Sequence, residues 1–169
     1  MARTLNIDAV LDDPNLTTMG LFVEAHAGLT ALALQRLEGA SGLSGQRFEV
    51  LLRLVRTPGH RLRMSDLAAQ TTLSASGLTR VVDRLVAQGL VAREACPSDR
   101  RGSFAVLTSE GEARIVAAVP GHVALLTELL EATFSHAEID TLSALMRRLR
   151  DSVNPAAERA SRLAVVAES

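Results

Sequence analysis

Two short stretches of this 169-residue chain hold residues of the kind that grip a polyanion. In SASGLTRVVDRLV, from Ser74 to Val86, the apolar residues Leu78, Val81, Val82, Leu85 and Val86 recur at i, i+3, i+4, i+7 and i+8. That is one face of a helix, and Ser76, Thr79, Arg80, Asp83 and Arg84 fall on the other. Short hydroxyl side chains suit phosphate contacts, and Arg presents a planar fork that matches guanine O6 and N7 in a major groove. Ser74 and Ser76 stand at the helix start, where backbone N–H groups favour a phosphate; N-capping is the competing role, and the two are compatible. The DNA-contact candidates on this helix are therefore Ser74, Ser76, Thr79, Arg80 and Arg84. Asp83 reads as a partner for a nearby Arg rather than as a base reader.

The second stretch is REACPSDRRGSFAVLTSEG, from Arg93 to Gly111. Pro, Gly and Arg interrupt Leu- and Ala-rich surroundings, and a β-like run, Ser103 to Thr108, follows. With a strand over Leu90 to Glu94 this makes a hairpin whose tip, Cys96 to Gly102, is rich in arginine. An Arg at such a tip can enter a narrow, electronegative minor groove beside the site a helix reads. Asp99, two residues before Arg101, can hold that side chain extended, and Gly102 allows a sharp backbone turn.

The elements that must position these residues are legible from periodicity and punctuation. A helix runs from Thr17 or Thr18 to about Glu38, with Leu21, Phe22, Ala25, Leu29, Leu32 and Leu37 at roughly helical spacing, and Gly39–Gly42 ends it. Ser44 caps a second helix carrying Phe48, Leu51, Leu52 and Val55, stopped by Thr57-Pro58-Gly59. Ser65 is the expected N-cap of a short helix ending near Thr71. The helix opened by Ser74 or Ala75 follows after a polar turn and closes at Gly89. Two short helices joined by a tight turn, the second polar and basic outside, make a helix-turn-helix; a hairpin directly after it makes it winged. Thr108 or Ser109 caps a long helix to about Phe134, with a potential bend at Pro120-Gly121. Ser135 and Glu138 form a capping box for a last helix to about Val153. The fold class is mainly α with a small β-wing: four helices, the wing, then two helices.

Composition bounds the rest. The length fits one domain with a sizeable core. No uninterrupted apolar run reaches the ~18 to 20 residues of a membrane span, and MARTLNIDAVLDDPNL lacks the layout of a secretory signal. No membrane partner and a cytoplasmic location are expected. The one cysteine, Cys96, excludes an internal disulfide, and the scattered His and Cys give no metal-ligand spacing, so no metal or cofactor is expected. The net charge of −1 conceals an asymmetry. Between Arg53 and Arg101 stand nine Arg against four acids; the remainder holds nine against fifteen. A basic middle in an acidic frame fits a polyanion bound at one place.

LTRVVDRLVAQGLVARE followed by DRRGSFAVLTSEG resembles the MarR family of winged-helix transcription regulators. The wing signature is carried by Asp99-Arg100-Arg101, Val106, Leu107-Thr108 and Gly111, and helix order and length agree over about residues 18 to 151. The resemblance implies a homodimer held by the first and last helices on a roughly palindromic double-stranded operator. It makes Arg101 the groove inserter, Asp99 its support, and places Arg100 and Arg93 near phosphates. It divides the chain into an N-terminal arm (1–16), a helical dimerisation region (17–44 and 110–169) and a winged DNA-binding domain (45–109). It also implies a small anionic aromatic ligand, such as an aromatic acid, in a cleft between the dimerisation helices and the winged domain. His26, Arg47, Phe48 and Leu51 are the candidates there, with a core or interface role as the alternative for His26.

Two other readings compete. Cys96 lies beside Arg93, Arg100 and Arg101, whose charges could lower its pKa, so oxidation could push the wing off DNA. Peroxide-sensing members of the family carry their cysteine near the N-terminal helix, and this chain has none there. A winged-helix protein-interaction module is the other, disfavoured by the Asp99-x-Arg101 finger. An enzyme is not expected: no nucleophile–base spacing, phosphate-cradling Gly loop or carboxylate pair stands out.

Overall fold

The computed structural model describes residues 11–96 and 99–154, without the side chains of 99–101. In chain order they form α1 (Pro14–Ser41), α2 (Gly45–Val55), a 3-10 turn (Pro58–His60), β1 (Arg61–Arg63), α3 (Met64–Gln70), α4 (Ala75–Ala87), β2 (Val91–Cys96), β3 (Asp99–Leu107), α5 (Ser109–Glu131) and α6 (His136–Val153).

Local chemistry sets most boundaries. α1 begins at Pro14 rather than Thr17, because Asp13 caps it by accepting from Asn15 N–H at 2.7 Å and Pro14 tolerates the first position. Gly42 ends it in a left-handed conformation, φ 67°, with its N–H on the Glu38 carbonyl. Ser44 holds the N-cap position of α2, yet its hydroxyl makes no capping bond. Ser65 does not cap α3: the helix starts at Met64 with Arg63 at the cap, and the Ser65 hydroxyl turns to Asp66 at 3.4 Å. The Ser135–Glu138 capping box forms as expected, with Glu138 accepting from both the Ser135 N–H (2.9 Å) and its hydroxyl (2.7 Å). Those bonds favour the carboxylate and hold Glu138 below its usual pKa.

The wing is longer than its hydropathy suggests. β2 and β3 pair antiparallel from Val91↔Leu107 to Ala95↔Ser103, and after an irregularity Cys96 faces Asp99. A third strand, β1, adds to the other side of β3 through Arg61↔Val106, Leu62↔Ala105 and Arg63↔Phe104. Periodicity could not reveal β1: three residues after the Pro58-Gly59 turn carry no countable repeat.

The core sits between α2, α3, α4 and the sheet. Val50, Leu51, Leu54, Leu67, Val82, Leu85 and Ala105 have no exposed surface, and Phe48, Leu78, Val81, Val91 and Leu107 join them. Each large side chain so buried contributes about 1.5–3 kcal/mol. Four of the five stripe residues of α4 are core; Val86, at its end, comes out to solvent.

The stripe of α1 behaves differently. Only Ala33 and Leu37 of this helix are buried, while Leu21, Phe22 and Leu29 are exposed. In α5 only Gly111, Ile115 and Leu125 are buried, and in α6 nothing is. By length and composition alone, α1 and α5 are long and apolar enough to cross a membrane. The absence expected from uninterrupted runs does not hold for α1, because isolated polar residues such as Glu24 and His26 break its apolar run while leaving the helix apolar on average.

The Leu107-Thr108…Gly111 signature is a joint. The Thr108 hydroxyl accepts from Gly111 N–H at 3.0 Å, capping α5, and donates to the Gly89 carbonyl at 2.7 Å. Its own N–H reaches the Leu90 carbonyl at 3.2 Å. Gly111 packs so tightly there that a Cβ would lie 2.0 Å from the Leu90 carbonyl oxygen. Four residues thus fasten the end of α4, the return strand of the wing and the start of α5 together.

Candidate nucleic-acid interface

α4 presents its polar face outward. Ser74 caps the helix, its hydroxyl accepting from Gly77 N–H at 3.1 Å and lying 3.3 Å from the Ser76 hydroxyl. Thr79 donates back to the Ala75 carbonyl at 3.0 Å, so its hydroxyl is satisfied locally. Ser74, Ser76, Thr79, Arg80 and Arg84 are all exposed. Among the described residues no acid engages Arg80 or Arg84 in an ion pair, which leaves both guanidinium forks available to an incoming acceptor.

Asp83, on the same helix, has the Arg partner expected of it. Arg93 of β2 donates to Asp83 Oδ1 through Nη2 at 2.8 Å and Nε at 3.2 Å, and Nη1 reaches the Ser103 hydroxyl of β3 at 3.4 Å. Arg93, given a place near phosphates by resemblance, is thus committed to tying the wing to α4. Gly102 is partly buried on β3. Asp99, Arg100 and Arg101 begin β3, but their side chains lie outside the described residues, so the Asp99–Arg101 support stays a proposal.

On the sheet face turned away from α4, Arg61 stacks on Phe104, 3.8 Å from the ring centroid, and pairs with Glu94 at 3.1 Å. Cys96 is buried, with Arg63 Nη2 donating to its sulfur at 3.1 Å. The charge near Cys96 therefore comes in part from β1, an element missing from the sequence reading, and burial restricts access of an oxidant.

The ligand candidates do not gather round one cavity. Leu51 has no exposed surface and Phe48 almost none, both being core. His26 is exposed on α1. Arg47 lines a small cleft of about 200 Å³ with Glu110 and Arg114. A larger cavity, about 460 Å³, opens between α1 and α5, where Arg36, Leu37, Arg114, His122, Leu125 and Glu128 contribute to its wall. Arg36 and Glu128 approach to 3.8 Å, and Arg114 donates to the Ser41 carbonyl at 2.7 Å. The His122 ring stands 4.7 Å from that of Phe48, tilted by 56°. Its Nδ1 is buried and finds no hydrogen-bond partner among the described residues, and burial lowers its pKa below the ordinary imidazole value.

His122, Arg36 and Arg114 were missed by sequence reasoning. A signal existed: His122 stands at helical spacing from Ile115, Ala118 and Leu125 and so belongs to the inward face of α5. Glu49 was missed with no signal at all, since its contact is long-range. Its carboxylate accepts from both the N–H and the hydroxyl of Thr72, each at 3.2 Å, in the turn between α3 and α4.

A polar helix fastened to a basic hairpin is the layout of known regulators, and comparison with known proteins bears on it directly. The MarR family model matches residues 41–102. YetL, a transcriptional repressor of Bacillus subtilis, is 32% identical over 90 residues, 53% of this chain, and the match spans 54% of that protein. A putative transcriptional regulatory protein for the hcr operon of Thauera aromatica is 31% identical over 117 residues, 68% of this chain and 69% of that one. Among solved structures, Sco3205 of Streptomyces coelicolor, a MarR family transcriptional regulator crystallised in complex with DNA, superposes with a TM-score of 0.72. It is 30% identical, and the match covers 90% of this chain and 91% of that one. At this likeness over nearly the whole of both chains, the chain belongs to the MarR family of transcription regulators.

Proposed function

We propose that this chain is a sequence-specific repressor that reads double-stranded DNA with α4 in the major groove and its wing in the adjacent minor groove. The observation that carries the reading is the outer face of α4, where the exposed Arg80 and Arg84 have no ion-pair partner among the described residues and stand on a helix bound to the hairpin by Arg93 and Asp83. Guanidinium forks available on a helix that fits a groove can contact base edges or phosphates. Arg101 at the wing, supported by Asp99, reads the minor groove, and Arg100 lies near phosphates. That Sco3205 was crystallised with DNA supports the same reading.

The protein works as a homodimer. Among the described residues, α1 and α6 leave the large apolar side chains Met19, Leu21, Phe22, Val23, Leu145 and Leu149 exposed, the kind of surface that marks an interface. A second copy, presenting the same faces about a twofold axis, covers them and sets two recognition helices about one DNA turn apart, ~34 Å. Residues 17–44 and 110–169 form the dimerisation region and 45–109 the DNA-binding domain.

The ligand is a small aromatic acid, bound between α1 and α5 rather than at His26. The cavity joins apolar walls, Leu37 and Leu125, to the cations Arg36 and Arg114 and the ring of His122. An anion with a flat body satisfies all three demands. Because α5 starts at the Thr108–Gly111 joint, a shift of this helix is passed to α4 and the wing together.

The test is selection of duplexes from a random-sequence pool, followed by a mobility-shift titration with the winning duplex and with random DNA. A clear preference, released by salicylate-like acids in the wild-type protein and less readily in His122→Ala, supports the reading. Equal affinity for all duplexes at low salt overturns it.

A further inference from the structure

The helix-turn-helix is held from outside at two points of its turn, by side chains from two different elements. Thr72, midway between α3 and α4, gives both its donors to the Glu49 carboxylate of α2, at 3.2 Å each. On the other side, Asn154, which caps α6, donates through Nδ2 to the Ala69 carbonyl at 3.3 Å. Ala69 lies in the last turn of α3, where carbonyls have no helical partner and must find one elsewhere.

We propose that Glu49 and Asn154 are positioning residues for DNA recognition, fixing the turn at Thr72 and through it the pitch of α4. This rests on the reading of α4 as the recognition helix. The turn needs such a clamp. α3 has only seven residues, lacks a side-chain cap, and anchors itself by one fully buried residue, Leu67. A helix this short has little stability of its own. α4 is anchored near its far end by Arg93 and Asp83 and by the joint at Gly89, whereas at its start the side-chain bonds among the described residues are local ones, those of Ser74 and Ser76 and of Thr79 to the Ala75 carbonyl. The start is the end that carries Ser74, Ser76, Thr79 and Arg80, so a small tilt there displaces the residues that meet DNA. Glu49 supplies two acceptors to one residue, which fixes direction as well as distance.

Asn154 adds a second consequence. Among the described residues none buries a side chain of α6, so its position can be set by whatever covers its apolar face. Its end nevertheless touches α3. The arrangement links the placement of α6 to the turn ahead of the recognition helix, independently of the α5 joint.

The experiment uses the full-length protein and two readouts: the ratio of affinities for the selected duplex and for random DNA, and amide hydrogen exchange at Thr72. Glu49→Ala is expected to lower the ratio about tenfold, the size of one misplaced base contact, and to speed exchange at Thr72. Glu49→Gln keeps an acceptor and should recover most of the ratio. Asn154→Ala is expected to lower the ratio in the same direction by a smaller factor. Thr72→Val, which removes only the hydroxyl donor, serves if Glu49→Ala fails to fold. An unchanged ratio and unchanged exchange in Glu49→Ala, or in Thr72→Val where that stands in, overturns the clamp. So does a Glu49→Gln defect as large as that of Glu49→Ala, because the carboxylate's charge would then be what matters. An unchanged ratio in Asn154→Ala overturns the part assigned to α6. Failure of the wild-type protein to prefer any duplex sinks the DNA reading itself, which is a distinct result.

Discussion

Arg93 of the wing and Asp83 of the recognition helix meet at 2.8 Å, through two nitrogens of one guanidinium on a single carboxylate oxygen. The pair joins α4 and the wing, the two elements proposed to read DNA, at the surface, with Asp83 more than half exposed, so its value lies in geometry more than in stability. Arg93→Ala, Asp83→Ala and the double variant, compared by urea denaturation, should give a coupling energy of only about 0.2–1 kcal/mol. The same cycle on operator affinity should give a larger coupling. Equal couplings in the two measurements would mean that the pair merely decorates the surface.

The joint at the start of α5 predicts a sharp contrast between two neighbours. Gly111→Ala places a methyl 2.0 Å from the Leu90 carbonyl oxygen and 2.9 Å from Leu107 Cδ1. Overpacking of that kind costs about 1–3 kcal/mol. Gly121→Ala on the same helix meets nothing within 4 Å and should not destabilise. Thermal or urea melts of the two variants decide it, and equal stability would remove the joint from the account.

For DNA binding, Arg101→Ala should weaken operator affinity by about 1–3 kcal/mol. Arg80→Ala should reduce the preference for operator over random DNA more than it reduces random binding. Anisotropy titrations on both duplexes separate the two, and a uniform loss for Arg80→Ala would make it a phosphate contact. Affinity should also fall steeply with salt, because counterions leave as arginines neutralise phosphates.

His122 predicts a pH dependence. Burial lowers its pKa, so the folded protein binds fewer protons than the unfolded chain at pH values near and below the ordinary imidazole value of 6.5. Stability is intact above 6.5, falls as pH drops from there towards the lowered value, and levels off below it. An aromatic acid in the cavity would favour the protonated ring, so its affinity should rise on acidification and proton uptake should accompany binding. Calorimetry in buffers of different ionisation heat reads that uptake; none in the wild-type protein would detach His122 from the ligand site.

The exposed faces of α1 and α6 predict that Leu21→Glu or Leu145→Glu halves the solution mass. Light scattering at micromolar concentration checks this. A wild-type protein that is already monomeric would remove the homodimer.

Much of this protein was determined by its sequence. Leu78, Val81, Val82 and Leu85 predicted the buried side of α4, because a helix brings every third and fourth residue to one face whatever surrounds it. Ser135 with Glu138, Thr108 before α5 and Gly89 after α4 predicted element ends for the same reason: caps and left-handed turns act within a few residues. Asp83 was recognised as wanting an arginine, though which arginine could not be read. The tertiary structure alone decided everything that joins distant positions. β1 exists because β3 offers an edge, not because Arg61–Arg63 prefers a strand. Glu49 reaches Thr72, Arg63 reaches Cys96 and His122 meets Phe48 across spans that no periodicity records. The apolar spacing of α1 announced a helix with one greasy side, but whether that side faces its own core depends on what the fold places beside it, and the described residues cover only Ala33 and Leu37.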